Sequence, residues 1–209
     1  MIVEPAVEAW LQGEAPPPHP VLLEMERRGV ERDFPIVGPL VGRFCALLAR
    51  AVGARRVFEM GSGFGYSTAW FADAVGPGGR VVHTDGDPGL SREARDWLGR
   101  MGVADRVDFR VGDALDLVAA EQGPFDVVFI DIDKGDYPRA WDLASQRVRV
   151  GGLVVTDNAL WQGKVAEPAE DDDWTEAVRE YLRRAQGDGR FVTSVLPLRD
   201  GVAVSLRTA

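Results

Sequence analysis

The sequence predicts a doubly wound α/β fold: a mostly parallel sheet with helices on both faces and an antiparallel hairpin at the C-terminal end. Three observations lead there. From about residue 53 onward, short β-branched runs alternate with helical ones, and such alternation calls for a parallel sheet covered on both sides. The first of these runs ends in a glycine-rich turn that opens a helix. The last two runs flank "RDG", a hairpin signal.

Residues 1–52 read as helices separated by breakers. "PAVEAWL" is short and amphipathic, "PPPHP" is a stiff extended connector, and "VLLEMERRG" is a helix closed by Gly29. A further helix spans about Gly38 to Val52, and Cys45, the only cysteine, sits on its apolar spacing as a packed thiol. Strands are expected in "RRVFEM", "GRVVHTD", "DRVDFRVGD", "FDVVFIDID" and "GGLVVTD". Helices are expected in "YSTAWFADAV", "GLSREARDWLGRMG", "ALDLVAAEQ", "YPRAWDLASQRV" and "EDDDWTEAVREYLRRAQ", and the closing hairpin in "RFVTSVLPL" and "GVAVSLR". Residues 53–209 thus form an α/β core, and 1–209 a single domain.

Charge narrows the function classes. The chain carries 33 Asp and Glu against 24 Lys and Arg, which argues against a nucleic-acid or anionic-membrane partner. No apolar run reaches transmembrane length and the first residues lack a secretory pattern, so the cytoplasm is the expected location.

"VFEMGSGFGYSTAWF" carries the first chemistry. A dinucleotide fingerprint needs G-x-G-x-x-G, and its third glycine would fall on Tyr66. The spacing found is Gly61-x-Gly63-x-Gly65, with Glu59 just ahead of the turn. A pyrophosphate is repelled by that carboxylate, whereas a cationic ligand with an amino-acid tail is not. Glu59 suits an ammonium group, and the new helix's N–H groups with Ser67 or Thr68 suit a carboxylate. S-adenosylmethionine has that tail. The second strand ends at Asp85, about twenty residues on, where an acid takes ribose hydroxyls; nearby Asp87, followed by Pro88, reads as a helix cap. Asp113 ends the third strand, suited either to the adenine amino group or to capping the next helix.

With these motifs in hand, the chain resembles the class I S-adenosylmethionine-dependent methyltransferases, in particular the cation-dependent O-methyltransferases typified by catechol and caffeoyl-CoA O-methyltransferases. "EMGSGFGYS", "GDA", "FIDIDKGDY" and "TDNALWQGKV" carry the resemblance, which runs from about Gly38 to the C-terminus. It implies a Rossmann-like fold, N-terminal helices over the cofactor and substrate side, and a cofactor set of Glu59, Gly61, Ser62, Gly63, Gly65, Ser67, Asp85, Gly86, Asp113, Ala114 and Asp131. Homodimers are common in the family, which extends that expectation to this chain.

A second acidic cluster ends the next two strands: Asp131, Asp133 and Lys134, then Asp157 and Asn158. If those strands are neighbours, Asp131, Asp157 and Asn158 converge as an all-oxygen set suited to Mg²⁺ (or Mn²⁺ or Ca²⁺), whereas the absence of a histidine argues against zinc. The alternative is a pair of turn-forming Asx residues. In the family the matching residues are the metal ligands, and the residue matching Lys134 is the proposed general base. The expected acceptor is a small catechol-like aromatic, a non-catechol small molecule being the alternative. The rivals are an NAD-binding oxidoreductase, which the missing glycine and Glu59 oppose, and a binding module without chemistry, which the intact Asp131, Lys134, Asp157 and Asn158 oppose.

Four further positions are of interest. Phe34 to Val37 are candidates to cover the cofactor, and Ile132, where the family more often has a small residue, narrows the site. Trp161 suits an aromatic pocket wall or a packed indole. "EPAEDDDW" suits an acidic helix start or a substrate loop. His19 and His83 receive no role.

Overall fold

The computed structural model describes residues 3–170 and 172–209. Seven strands form one sheet: β1 (Arg56–Met60), β2 (Arg80–Asp85), β3 (Val107–Val111), β4 (Phe125–Ile130), β5 (Val148–Thr156), β6 (Phe191–Leu196) and β7 (Val202–Arg207). Their order is β3-β2-β1-β4-β5-β7-β6. The first five strands are parallel, and β7 runs antiparallel to both β5 and β6.

The helices are α1 (Pro5–Glu14), α2 (Pro20–Glu31), α3 (Gly38–Ala51), α4 (Tyr66–Val75), α5 (Pro88–Met101), α6 (Ala114–Ala120), α7 (Tyr137–Arg147) and α8 (Asp173–Gly187). Strand alternation sends Val57, Val81, Val127 and Phe129 into one core with α2 to α5, and Phe58, Met60, Val128 and Ile130 into a second core with α6 to α8. Both faces are therefore covered, and each fully buried aromatic or large aliphatic side chain contributes about 1.5–3 kcal/mol.

Local chemistry sets most boundaries. His19 accepts from the Val21 amide and caps α2, Asp87 caps α5 through the Gly89 amide, and Asp172 caps α8 through the amides of Trp174 and Thr175. Asp171, within the acidic stretch before α8, lies outside the described residues. Two sequence expectations need correction. Gly29 does not close its helix: α2 continues to Glu31, and a Cβ at Gly29 would come within 3.3 Å of the Phe34 carbonyl oxygen. That glycine lets the returning chain pack against the helix. The fifth strand also starts earlier than "GGLVV", at Val148, because Val148 pairs with Phe125 across β4.

Candidate active site

Parallel register decides what meets at the C-terminal edge of the sheet. Met60 pairs with Thr84 and with Ile130, and Ile130 pairs with Thr156, so the residues after each strand stand side by side. Gly61, Asp85, Asp131 and Asp157 follow directly from that register. The edge lies where the chain order reverses between β1 and β4, the usual ligand crevice of an open α/β sheet. A cavity of about 690 Å³ occupies it.

One end of the cavity is lined by Gly61, Ser62, Gly63, Ser67, Asp85, Gly86, Asp113 and Ala114. Gly61 has φ +79°, and a Cβ there would lie 2.1 Å from the Asp131 carbonyl oxygen. The loop can cross the end of β4 only without a side chain. Gly61→Ala should therefore lower thermal stability and S-adenosylhomocysteine affinity together, checked by melting curves and calorimetry. The Asp85 carboxylate accepts from the amides of Gly63 at 2.9 Å and Asp87 at 2.8 Å, tying the glycine loop to the end of β2. Burial raises its pKa above the ordinary carboxylate value while those two amides oppose the rise. Asp113 accepts from the Asp116 amide at 2.9 Å and caps α6 while also lining the cavity, so both sequence alternatives for it stay compatible with its place.

Glu59 and Gly65 do not line the cavity themselves and stand just behind the glycine loop. Gly65, with φ +90°, lets α4 approach α5: a Cβ would lie 2.8 Å from the Ala94 methyl. Glu59 is fully buried on the α4–α5 face of β1, beside its register partner His83. Its Oε2 accepts from the Ser62 hydroxyl at 2.9 Å and from the Thr68 hydroxyl, and its Oε1 has no hydrogen-bond partner among the described residues. Because Thr68 donates to Glu59, its oxygen accepts from His83, 3.1 Å away, which assigns the imidazole proton to Nδ1. Burial pushes Glu59 up to about 7 and His83 down to about 4. Of the two hydroxyl residues proposed to face the ligand, Ser67 lines the cavity and Thr68 is turned to this buried network.

The other end of the cavity holds Asp131, Ile132, Asp133, Lys134, Asp136, Asp157, Asn158, Trp161 and Trp174. Lys134 is not a surface lysine. Its side chain is 11% exposed, and Nζ lies 3.2 Å from Asp131 Oδ1 and 3.2 Å from the Ile132 carbonyl. The ammonium also sits over the rings of Tyr137 and Trp161, at 5.0 Å and 5.8 Å. Asp157 Oδ1 is buried without a hydrogen-bond partner among the described residues. Burial, followed by the charge of Asp131, pushes Asp157 up to about 8; burial also raises Asp131, opposed by Lys134. Among the described residues, no group of three or more His, Cys, Asp and Glu side chains comes together to hold a metal. Asn158, next to Asp157 at this end of the cavity, has its backbone at φ +52°.

Phe34 to Val37 form a lip over the glycine loop, with the Phe34 ring edge-on to Phe64 at 5.2 Å. Trp161 and Trp174 meet edge to face at 5.7 Å. Sequence reasoning missed Gln162 and Asp200 as parts of the wall, and Trp174 entered it only as the end of the "EPAEDDDW" stretch. "RDG" signalled only a turn, and nothing local shows that this turn returns to the cavity.

The O-methyltransferase family model matches residues 16–208. The chain belongs to this family. A catechol O-methyltransferase of Mycobacterium tuberculosis is 36% identical over 209 residues, covering 97% of this chain and 95% of the relative. The O-methyltransferase TomG from Streptomyces achromogenes, solved in complex with SAM, superposes with a TM-score of 0.89 at 30% identity, covering 98% of this chain and 96% of TomG. An O-methyltransferase from Bacillus cereus, solved with SAH, gives 0.88 at 28% identity, covering 97% of each chain. The protein is an S-adenosylmethionine-dependent O-methyltransferase, and the oxidoreductase reading falls. Among the described residues of the methyltransferase, no helix is long and apolar enough to cross a membrane.

Proposed function

We propose that the protein transfers the methyl group of S-adenosylmethionine to one hydroxyl of a small vicinal dihydroxy aromatic, with Lys134 as general base. The observation that carries this reading is the meeting of Asp131, Lys134 and Asp157 at the end of a cavity whose opposite end is the glycine loop. The similarity to a curated catechol O-methyltransferase over nearly the whole chain supports the acceptor class.

The chemistry needs little from the protein beyond placement. The acceptor oxygen attacks the sulfonium methyl in line, the C–O bond forms as the C–S bond breaks, and S-adenosylhomocysteine leaves. The glycine loop, Asp85 and Ser67 hold the cofactor's polar groups, and Trp161 and Trp174 wall the aromatic ring. An ordinary phenol, with a pKa near ~10, is a poor nucleophile at neutral pH. As the neutral amine, Lys134 Nζ takes the hydroxyl proton, and the ammonium so formed donates to Asp131 Oδ1.

Asp131, Asp157 and Asn158 would hold a divalent cation, Mg²⁺ or alternatively Mn²⁺ or Ca²⁺. The donor set fits: it is all oxygen, small enough to leave positions for water and substrate, and it includes a buried carboxylate oxygen with no other partner. When bound, the cation supplies positive charge that favours the ionised acceptor hydroxyl. By family analogy the working unit is a homodimer. Val7, Trp10 and Leu11 are exposed on α1, a helix without a buried residue, and sedimentation velocity decides the state.

A methyl-transfer assay across small catechols and caffeoyl esters, with and without Mg²⁺, tests the reading; no turnover on any of them would overturn it. Asp85→Ala should weaken S-adenosylhomocysteine at least tenfold, since charge-assisted bonds contribute about 1.5–3 kcal/mol. Titration calorimetry checks this, and unchanged affinity would reduce Asp85 to a strut for the glycine loop.

A further inference from the structure

The wall that carries Trp161 is built on unfavourable backbone. Trp161 has φ +45° and Gln162 φ +57°, followed by Gly163 at +85°. Side-chain-bearing residues persist in the left-handed region only when their surroundings hold them there. The turn between β6 and β7 supplies that hold. The Ala159 amide donates to the Gly201 carbonyl and the Leu160 amide to the Asp200 carbonyl, each at 2.9 Å. The Gln162 amide donates to the Asp200 carboxylate oxygen Oδ1. A Cβ on Gly201, at φ +86°, would lie 2.5 Å from Leu160 Cγ, so the two loops are in direct contact.

The side chain one residue earlier reaches the opposite wall. Arg199 Nη1 donates to the Ile36 carbonyl at 2.7 Å, and its Nε lies 3.8 Å from Glu8. The hairpin tip therefore bridges the lip over the glycine loop and the tryptophan wall. Asp200 lines the cavity between them. Of these three hydrogen bonds from the hairpin tip, the one to Gln162 uses a side chain; the other two are backbone bonds that a substitution leaves in place.

We propose that Asp200 is a positioning residue for the acceptor: its carboxylate holds the left-handed Trp161–Gln162 turn and so sets the indole wall facing Lys134. The inference rests on the acceptor lying at the Lys134–Trp161 end, as argued above. Asp200 acts through Trp161 and takes no part in moving the proton or the methyl group. Asn at this position keeps an oxygen that accepts from the Gln162 amide and removes the charge, whereas Ala removes both.

Steady-state kinetics on a neutral catechol, with S-adenosylhomocysteine titrations, separates the possibilities. Asp200→Ala should raise the acceptor KM roughly tenfold, the loss of one hydrogen bond to a charged group. kcat and S-adenosylhomocysteine affinity should each stay within about twofold, since Lys134 and the glycine loop are untouched. Asp200→Asn should recover most of the KM. Hydrogen exchange of the segment 158–163 should speed up in Asp200→Ala and stay near the parent in Asp200→Asn. An unchanged KM in Asp200→Ala overturns the proposal. Equal impairment of Asn and Ala overturns it in favour of a charge effect, and a parallel loss of S-adenosylhomocysteine affinity overturns it in favour of general disruption. If the parent enzyme methylates no catechol, the functional reading fails instead, and the exchange data still decide whether Asp200 holds the turn.

Discussion

Replacing Lys134 with alanine should reduce turnover by roughly 10²–10⁴, the usual contribution of a positioned acid–base group. The Nζ atom is nearly enclosed, against Asp131, the Ile132 carbonyl and two aromatic faces. S-adenosylhomocysteine affinity should barely change, because Lys134 lies at the acceptor end of the cavity. Lys134→Arg should fail nearly as badly, since a guanidinium keeps the charge but cannot give up its proton in this pH range. Acceptor acidity sharpens the test. A nitro-substituted catechol already ionised at assay pH needs no base, so the mutant's defect should shrink on it. Equal impairment on acidic and ordinary catechols would point to a positioning role, and a fully active Lys134→Ala enzyme would sink the general-base assignment.

The second large effect should appear in stability without any turnover. Burial and the neighbouring Asp131 hold Asp157 at about 8, far above an unfolded aspartate. A carboxyl group whose folded pKa is raised binds more protons in the native state, so metal-free stability falls as pH rises toward 8. Other buried groups overlap this range, among them Asp131, which burial also raises and which acts in the same direction. Glu59, at about 7, acts in the same direction, and His83, at about 4, acts in the opposite direction up to its unfolded value near ~6.5. Above pH 7 the Asp157 contribution persists furthest, while that of Glu59 fades. Its slope is at most about 1.4 kcal/mol per pH unit for one proton, or a few degrees of melting temperature in a domain of this size. Mg²⁺ at about a hundredfold over its Kd should return about 2.7 kcal/mol, roughly 5–10 °C, and more at pH 8 than at pH 6, because the ion needs both carboxylates ionised. Asp157→Asn should flatten the slope above pH 7 and abolish the Mg²⁺ response. Melting curves that ignore Mg²⁺ at pH 8 would remove the cation from this site, and full turnover after exhaustive chelation would agree.

Much of this molecule is legible residue by residue. The periods of 2 and 3.6 in the apolar pattern place β1 to β5 and α3 to α8 within a few residues, because side-chain direction is a local property of the backbone. Glycines at 61, 63 and 65 mark a turn that must reach positive φ, and Asp85, Asp131 and Asp157 stand at strand ends where ligands bind. That Asp131 and Asp157 are neighbours depends on β4 pairing with β5, which the motif order suggests through family resemblance but no local pattern contains. Other facts were decided only by tertiary packing. Glu59 is recognisable in sequence as an acid beside the glycine loop, but its burial on the α4–α5 face of β1, with Ser62 and Thr68 as partners, follows from strand parity and packing. Lys134 has the composition of a surface lysine, and only Tyr137, Trp161 and Asp131 closing around it bury the ammonium. Asp200 is a turn residue until β7, and not β6, takes the place beside β5 and carries the hairpin tip back over the cavity. The physical reason is the same in all three cases. Periodicity and turn chemistry act over a few residues, whereas strand order and side-chain enclosure follow from burying both faces of the sheet at once.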